Sequence, residues 1–299
     1  MPSNDSRIRH EFIAIDEGLV RLIHVDENDP SRDWVSRIPH PQARDMQLIG
    51  GGRLLVGHHH GWCEFDVSSG KLLDDFAPYV GVTAVRRQPD GSTLVAGVDI
   101  AGATGVVVLQ LDSKRNETRR AVYPGDYVRL LRQTAQGTLL MSCNDRIREA
   151  DLDGHYLRDY PVDGFYHAWK SLRLSNGNLL VSAGYGAFMV ELDPSGAEIR
   201  RFGCKDQVPA EVNPFFYAMF QRMPDGHVIL ANWQGHGEGF GESGVQLLEF
   251  DTAGEIVWTW SDSTRISSLQ GLLVLDGLDA GLLHDEREGI MAPMRSCLV

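Results

Sequence analysis

The chain has 299 residues, 42% of them hydrophobic, which is enough to bury a sizeable core. Its formal net charge of −13 argues against a nucleic-acid backbone or an anionic membrane as a partner. No segment has signal-peptide or membrane-spanning length and apolarity, and four cysteines (Cys63, Cys143, Cys204, Cys297) lack paired spacing, so we predict a cytoplasmic protein with reduced thiols.

In chain order, the first unit is FIAIDEGLVRLIHVDENDPSRDWVSRI (residues 12–38), which reads as three short strands separated by turns. Five longer units follow, and each reads as four strands in a meander. The clearest stretch is NGNLLVSAGYGAFMVELDPSGAEIRRF (residues 176–202). The five complete units cover residues 45–76, 82–123, 128–160, 169–202 and 216–260.

The two ends of the chain complement each other. SLQGLLVLDGLD (residues 268–279) reads as a first strand without successors, and residues 12–38 lack a first strand. Joining them closes a ring and removes the exposed sheet edge. An apolar-x-Asp turn also recurs six times, at Asp26, Asp66, Asp112, Asp151, Asp193 and Asp251.

The sequence therefore predicts one all-β domain: a six-bladed β-propeller with four-stranded antiparallel blades, closed by pairing of the N-terminal strands with the C-terminal strand. A β-sandwich explains neither the regular spacing nor the complementary ends. Residues 280–299 form a tail that fits no blade, and the sequence leaves open whether it completes the closure, packs underneath or contacts a second subunit.

Several blade-building stretches resemble a known group of repeats. The turns DPSGAEIRRF and DTAGEIVWTW, preceded by NGNLLVS and DGHVILA, resemble the repeats of quinoprotein-like and arylsulfotransferase-like β-propellers. The resemblance covers nearly the whole chain but carries no catalytic motif, so it implies the fold and no functional residue. The signature motifs of gluconolactonase-type and virginiamycin-lyase-type propellers are not recognisable.

Candidate site residues follow from propeller geometry. The first strand of each blade lines the central axis, while the loops between second and third strands and the blade connections share one face. Histidines and aromatic residues from several blades are therefore expected to converge on one funnel. The predicted catalytic residues are His59, His167, His236 and Tyr217. The predicted substrate-binding residues are His58, His60, Asp99, Tyr127, Asn144, Tyr166, Trp169, Tyr185, Phe216, Asn232, Trp233 and Gln270.

Each candidate also has a structural interpretation. The triplet His58–His60 can be an exposed polar turn, and His167 and Tyr217 can pack at the channel without touching a ligand. Residues 235–244 (GHGEGFGESG) resemble a phosphate loop but lie between antiparallel strands, so a flap over the channel fits better. No cofactor is predicted; a divalent metal bound by His58–His60, His167 and His236 stays an alternative.

Three functions compete. The first is an enzyme, namely a lyase, isomerase or hydrolase, that uses histidine acid–base groups on a carbohydrate-like or other polar organic molecule in the central funnel. The second is a non-catalytic propeller that binds a ligand or a protein. A redox quinoprotein ranks third, because the loops offer few cations for a quinone's carboxylates beyond Arg44, Lys170 and Arg265.

Overall fold

The computed structural model describes residues 8–294. Cys297 and the last residues of the predicted tail lie outside the described residues, and the three described cysteines are free thiols. The described chain folds into six four-stranded antiparallel sheets and one short hairpin. This confirms the predicted six-bladed propeller.

The strands follow in chain order. The closing blade takes β1 (Glu11–Asp16), β2 (Arg21–Asp26) and β3 (Trp34–Arg37) from the N-terminal region. The first blade contains β4 (Asp45–Gly50), β5 (Arg53–His58), β6 (Gly61–Asp66) and β7 (Leu72–Phe76). The second contains β8 (Val82–Arg87), β9 (Thr93–Val98), β10 (Val106–Leu111) and β11 (Glu117–Tyr123). The third contains β12 (Leu131–Gln133), β13 (Leu139–Ser142), β14 (Arg146–Ala150) and β15 (Tyr156–Pro161).

The fourth blade contains β16 (Ser171–Arg173), β17 (Leu179–Ser182), β18 (Met189–Leu192) and β19 (Glu198–Phe202). The fifth contains β20 (Phe216–Arg222), β21 (Val228–Trp233), β22 (Leu247–Phe250) and β23 (Ile256–Trp260). β24 (Leu269–Val274) returns to the closing blade, and β25 (His284–Asp285) pairs with β26 (Ala292–Pro293). Short 3₁₀ turns lie at Pro30–Arg32, Ile100–Gly102, Ala210–Val212 and Phe240–Glu242.

The ring closes between the two ends of the chain, as the sequence predicts. β1 pairs antiparallel with β24, with Phe12 opposite Val274. His10 also links the closing blade to the fifth blade, because its ring nitrogens contact Asp276 and, at 3.2 Å, Glu249 of the fifth blade. Burial alone lowers the pKa of His10, but the two carboxylates outweigh it and raise the pKa to about 9. His10 is therefore charged at neutral pH and ties the closing blade to its neighbour.

Turn chemistry explains why the third strands end where they do. The side chain of Asp193 accepts hydrogen bonds from the backbone N–H groups of Ser195 and Ala197, and Asp251 does the same for Ala253 and Glu255. The other recurring aspartates, at 26, 66, 112 and 151, make equivalent turns. These are Asx turns, which makes the six aspartates structural, as the repeat predicts.

The core lies between neighbouring blades. Between the first and second blades, for example, Leu55, Trp62, Val85, Val95 and Val107 are fully buried in one cluster. Each such side chain contributes about 1.5–3 kcal/mol of burial free energy, so the blade interfaces hold the ring rigid. In the described part of the chain, no helix is long and apolar enough to cross a membrane.

The C-terminal tail enters the central channel. Glu286 is buried and accepts bonds from Lys170 at 2.6 Å and Arg132 at 2.9 Å, while Asp285 pairs with Arg86. Asp45 completes this cluster by pairing with Arg132 at 2.9 Å. The tail therefore acts as a plug, and it packs within the propeller.

The plug occupies one end of the channel only. Tail residues bond to positions that follow the inner strands, such as Gly51 and Ala135. The opposite end is formed by the residues that precede β4, β12 and β16, and it stays open to solvent.

Candidate functional site

A pocket of about 380 Å³ occupies the open end of the channel. This volume lies at the lower end of the range for small-molecule sites. The pocket is lined by Glu17, Gln42, Arg44, Arg129, His167, Trp169, Tyr185, Phe216, Trp233, His236 and Gln270. A larger depression of about 870 Å³ beside the plug on the opposite face has neither an imidazole nor a carboxylate in its lining. Of these two pockets, only the smaller one therefore has imidazoles and a carboxylate in its lining.

Every blade except the second contributes to this pocket. Arg44, Arg129, and the pair His167 and Trp169 precede the inner strands β4, β12 and β16, and Gln270 belongs to β24. Among the other lining residues, Phe216 belongs to β20, Trp233 ends β21 and Gln42 also precedes β4. Glu17, Tyr185 and His236 lie in the loops that follow β1, β17 and β21. The sequence predicted this convergence, and seven of the predicted residues line the pocket: His167, Trp169, Tyr185, Phe216, Trp233, His236 and Gln270.

His167 is held in an unusual backbone conformation. Its φ angle is 57°, a region that non-glycine residues seldom adopt and that is often found at functional sites. Its backbone N–H donates to Asn144 Oδ1 at 3.1 Å, so the predicted residue Asn144 positions the histidine from outside the pocket. Tyr166 packs on the ring from the rim, where it is exposed.

The hydrogen bonds of His167 determine which nitrogen carries its proton. Its Nδ1 lies 2.6 Å from the hydroxyl of Tyr127, and that oxygen already accepts two N–H groups of Arg129. The phenol can then only donate to Nδ1, so neutral His167 carries its proton on Nε2. Burial, followed by the charge of Arg129, lowers the pKa of His167 and keeps the ring neutral. His167 thus presents an N–H donor.

His236 has the opposite arrangement. Its Nδ1 lies 2.9 Å from Glu17 Oε1, and a carboxylate can only accept, so Nδ1 donates and Nε2 keeps a lone pair. The ring also lies edge-on to Trp233, with centroids 4.5 Å apart. Glu17 can therefore orient His236 and stabilise its imidazolium, as expected for a general base.

Aromatic side chains form one wall of the pocket. Phe216 lies edge-on to Tyr185 at 4.6 Å, to Trp233 at 5.3 Å and to Trp169 at 5.4 Å between centroids. Tyr166, Tyr185 and Phe215 remain exposed at the rim. The wall provides apolar contact area for a ring-bearing ligand.

The histidine triplet does not line the pocket, which corrects the predicted role of His59 in the funnel. The triplet lies at the tight turn between β5 and β6, where His58 pairs with Gly61. His59 is half-buried, and its backbone bonds to Pro41 and Gly81. His60 donates from Nδ1 to the Tyr79 carbonyl at 2.9 Å. The triplet is a structural turn at the edge of the first blade.

His58 is buried beside His40 and Asp75, and these three residues group potential metal-ligating atoms. His58 Nδ1 accepts the His60 N–H at 3.1 Å, so its proton lies on Nε2, 3.9 Å from Asp75. His40 Nε2 lies 3.0 Å from both Asp75 oxygens. Asp75 therefore serves as a hydrogen-bond acceptor for His40 in this arrangement. The predicted set of His58–His60, His167 and His236 is not brought together.

Three other predicted residues lie away from the pocket. Tyr217 is fully buried between blades and donates to the Gly203 carbonyl at 2.6 Å, so it has no access to a funnel ligand. Asn232 is buried and bonds the backbone of the loop that precedes β20. Asp99 is an exposed loop residue that accepts the Gly105 N–H at 2.7 Å.

Sequence reasoning did not assign Glu17, Arg44 and Arg129 to the site. Glu17 and Arg44 lie in loops on the favourable face, so their position was a usable signal. Arg129 lies two residues after Tyr127 in DYVRL, a stretch that resembles the start of a strand, so the sequence gives no signal that its side chain reaches the pocket. The segment 235–244 contributes His236 to the pocket and is anchored by the Gly241 N–H, which donates to Ser267 O at 2.6 Å.

Comparisons with known proteins address the fold. No protein-family model matches the chain, and no curated protein matches it in sequence. A protein of unknown function from Bacteroides caccae is 21% identical, with a TM-score of 0.74 over 89% of this chain and 99% of that one. A streptogramin B lyase structure is 11% identical, with a TM-score of 0.61 over 97% of this chain and 89% of that one.

A third neighbour is a catalytically inactive histidine-to-alanine form of virginiamycin B lyase from Staphylococcus aureus, solved with quinupristin. It is 8% identical, with a TM-score of 0.59 over 90% of this chain and 93% of that one. At such identities these neighbours show a shared propeller fold. The predicted propeller resemblance is confirmed at that level, and a particular relation to arylsulfotransferase-like propellers is not shown.

Proposed function

We propose that the protein is a lyase that acts on a small organic molecule in the pocket at the open end of the channel. The observation that carries this proposal is the pair of differently bonded histidines in one pocket. His236 presents a lone pair next to Glu17, and His167 presents an N–H backed by Tyr127. A base and an acid on one ligand are what an elimination requires.

Protons and electrons balance in the proposed elimination. His236 Nε2 removes a proton from a carbon of the substrate, and the electrons of that C–H bond form a carbon–carbon double bond. The bond between the neighbouring carbon and its leaving oxygen breaks, and His167 Nε2–H gives that oxygen its proton. Tyr127 passes its own proton to His167 Nδ1, and the phenolate charge lies against Arg129. To restore the starting state, His167 Nδ1 returns its proton to Tyr127 as solvent protonates His167 Nε2, and solvent takes one proton from His236.

Two structural neighbours support the reaction class. Both the streptogramin B lyase and the virginiamycin B lyase are named as lyases, and the latter is described as inactive after replacement of one histidine. They share this fold, and the loss of activity on replacing one histidine in the virginiamycin B lyase agrees with the use of histidines proposed here. The proposed roles of His167 and His236 rest on the hydrogen bonds of this chain alone.

The test is turnover of a panel of esters, glycosides and other ethers, measured as the ultraviolet absorbance of the new conjugated double bond. His167→Gln and His236→Gln should each reduce turnover by about 100-fold or more, because each removes one proton-transfer group. His155→Gln is the matched control, since His155 is exposed and bonds to the turn aspartate Asp151. Full activity in either pocket variant, or no new double bond from the unaltered protein across the panel, overturns the proposal.

A further inference from the structure

Two arginines in the pocket have no carboxylate partner. Among the described residues, neither Arg44 nor Arg129 has a carboxylate oxygen within the 4.0 Å that defines an ion pair. Arg44 donates to the Gln42 side chain at 3.2 Å, and Arg129 donates to the Tyr127 hydroxyl. Partly buried cations are normally paired, so two unpaired ones in one pocket point to an anionic ligand.

The electrostatics of the pocket support this interpretation. Burial, with a further contribution from the charge of Arg129, lowers the pKa of Arg44 to about 9. The pocket lining contains one carboxylate, Glu17, which is bonded to His236. With neutral histidines the lining therefore carries a net positive charge in a chain whose formal net charge is −13. A bound anion would relieve the repulsion between the two guanidinium groups.

The geometry also fixes the position of one of these cations. The Arg129 guanidinium lies 5.0 Å above the Trp169 ring and 5.1 Å from the Tyr127 ring. Contact with both rings and the two bonds to the Tyr127 hydroxyl restrain the guanidinium, and its remaining N–H groups are left for a ligand. The aromatic wall formed by Phe216 and its neighbours lies in the same pocket.

We propose that the substrate is a cyclic organic carboxylate, with its carboxylate bound by Arg44 and Arg129 and its ring against the aromatic wall. This inference rests on the proposed function and deepens it. A carboxylate makes the adjacent C–H bond more acidic once its charge is neutralised, so the arginines would stabilise the enolate that forms when His236 removes the proton. A monoanion also fits better than a phosphate dianion, because Glu17 in the same lining repels excess negative charge.

The experiment measures binding by isothermal calorimetry and thermal shift on His167→Gln, which keeps both arginines and does not consume the ligand. Two matched pairs separate a sugar acid from an aromatic acid: glucuronate with glucose, and benzoate with benzamide. In at least one pair the acid should bind at least about tenfold tighter than its neutral partner, since a charge-assisted hydrogen bond adds that much. Phenyl phosphate should bind more weakly than the preferred acid.

Arginine variants identify the site. Arg44→Gln and Arg129→Gln should each lose about tenfold or more of the affinity for the acid and little of that for the neutral partner. Arg37→Gln is the matched control, because Arg37 is exposed on the outer strand β3. Equal binding of acid and neutral ligand in both pairs overturns the inference. So does a preference for phenyl phosphate, or no acid binding up to about 10 mM.

The two proposals fail in different ways. If the acid binds through Arg44 and Arg129 but the unaltered protein never forms a double bond, the carboxylate site stands and the lyase fails. If elimination occurs only on neutral molecules and is unchanged in Arg44→Gln, the lyase stands and the carboxylate site fails.

Discussion

The group bonded to Nδ1 sets the chemistry of each pocket histidine. At His236 that group is the carboxylate of Glu17, which leaves a basic Nε2, whereas at His167 it is the hydroxyl of Tyr127, which leaves an Nε2–H. The same side chain can therefore act as base on one blade and as acid on another. Sequence cannot show this difference, because both partners lie on other blades.

The first prediction concerns the titration of His167. Burial and then the nearby charge of Arg129 lower the pKa of His167, so Arg129→Gln should raise that pKa toward its ordinary value. Nuclear magnetic resonance titration of the ring protons measures this directly. Arg158→Gln is the control. Arg158 lies on the outer strand β15 and donates to the Pro194 carbonyl, so its replacement should leave the pKa of His167 unchanged. A pKa that stays constant or falls in Arg129→Gln contradicts the prediction.

Alternation along a strand explains which predicted residues line the pocket and which do not. Phe216 and Tyr217 are neighbours at the start of β20, and both were predicted to reach the funnel. Successive side chains on a strand point to opposite faces, so Phe216 lines the pocket while Tyr217 is buried against the fourth blade. Because both residues are aromatic, the sequence does not indicate which of the two side chains points into the pocket.

At the level of whole elements, the connection before β16 is held in place by close backbone contacts with the loop that follows β17. Gly184 lies against this connection: Tyr185 N–H donates to the Tyr166 carbonyl at 2.9 Å, and Tyr217 N–H donates to the Gly184 carbonyl at 3.0 Å. A β-carbon at Gly184 would lie 2.2 Å from the His167 carbonyl oxygen, and its φ is +64°. Only glycine fits there without moving His167.

Gly184→Ala should therefore lower the free energy of unfolding by about 2–3 kcal/mol and reduce turnover, because the clash displaces the His167 connection. Gly137→Ala is the control: its φ is also positive, at +83°, but no atom lies within 4 Å of the added carbon. It should cost about 1 kcal/mol and leave turnover intact. Urea unfolding and steady-state turnover measure both effects, and equal losses in the two variants would contradict the steric explanation.

The five complete blades could be predicted from the sequence because each is formed by four strands that are consecutive in the chain. Period-two alternation and aspartate turns specify a meander such as β16 to β19 without knowledge of distant residues. The closing blade was also predictable, because residues 12–38 and 268–279 each lacked what the other had. The position of the hairpin β25–β26 could not be predicted, because the tail is held by Arg86, Arg132 and Lys170, which belong to three different blades.

At the scale of the whole molecule, the tail residues Asp285 and Glu286 are buried at the end of the channel opposite the pocket. Asp285 and Glu286 bring two carboxylates to Arg86, Arg132 and Lys170, and Asp45 supplies the third, so cations and carboxylates balance. Lys170 directly follows Trp169, which lines the pocket on the other side. The plug and the pocket therefore contact adjacent residues of the segment that leads into β16.

The last prediction tests that balance. Glu286→Gln should destabilise the protein by about 3–5 kcal/mol, because it leaves Lys170 and Arg132 buried with one carboxylate fewer. Glu288→Gln, at an exposed position two residues away, should change the free energy of unfolding by less than about 0.5 kcal/mol. Urea unfolding at pH 7 measures the difference. Similar stability in the two variants would mean that the buried cluster is not what holds the tail in the channel.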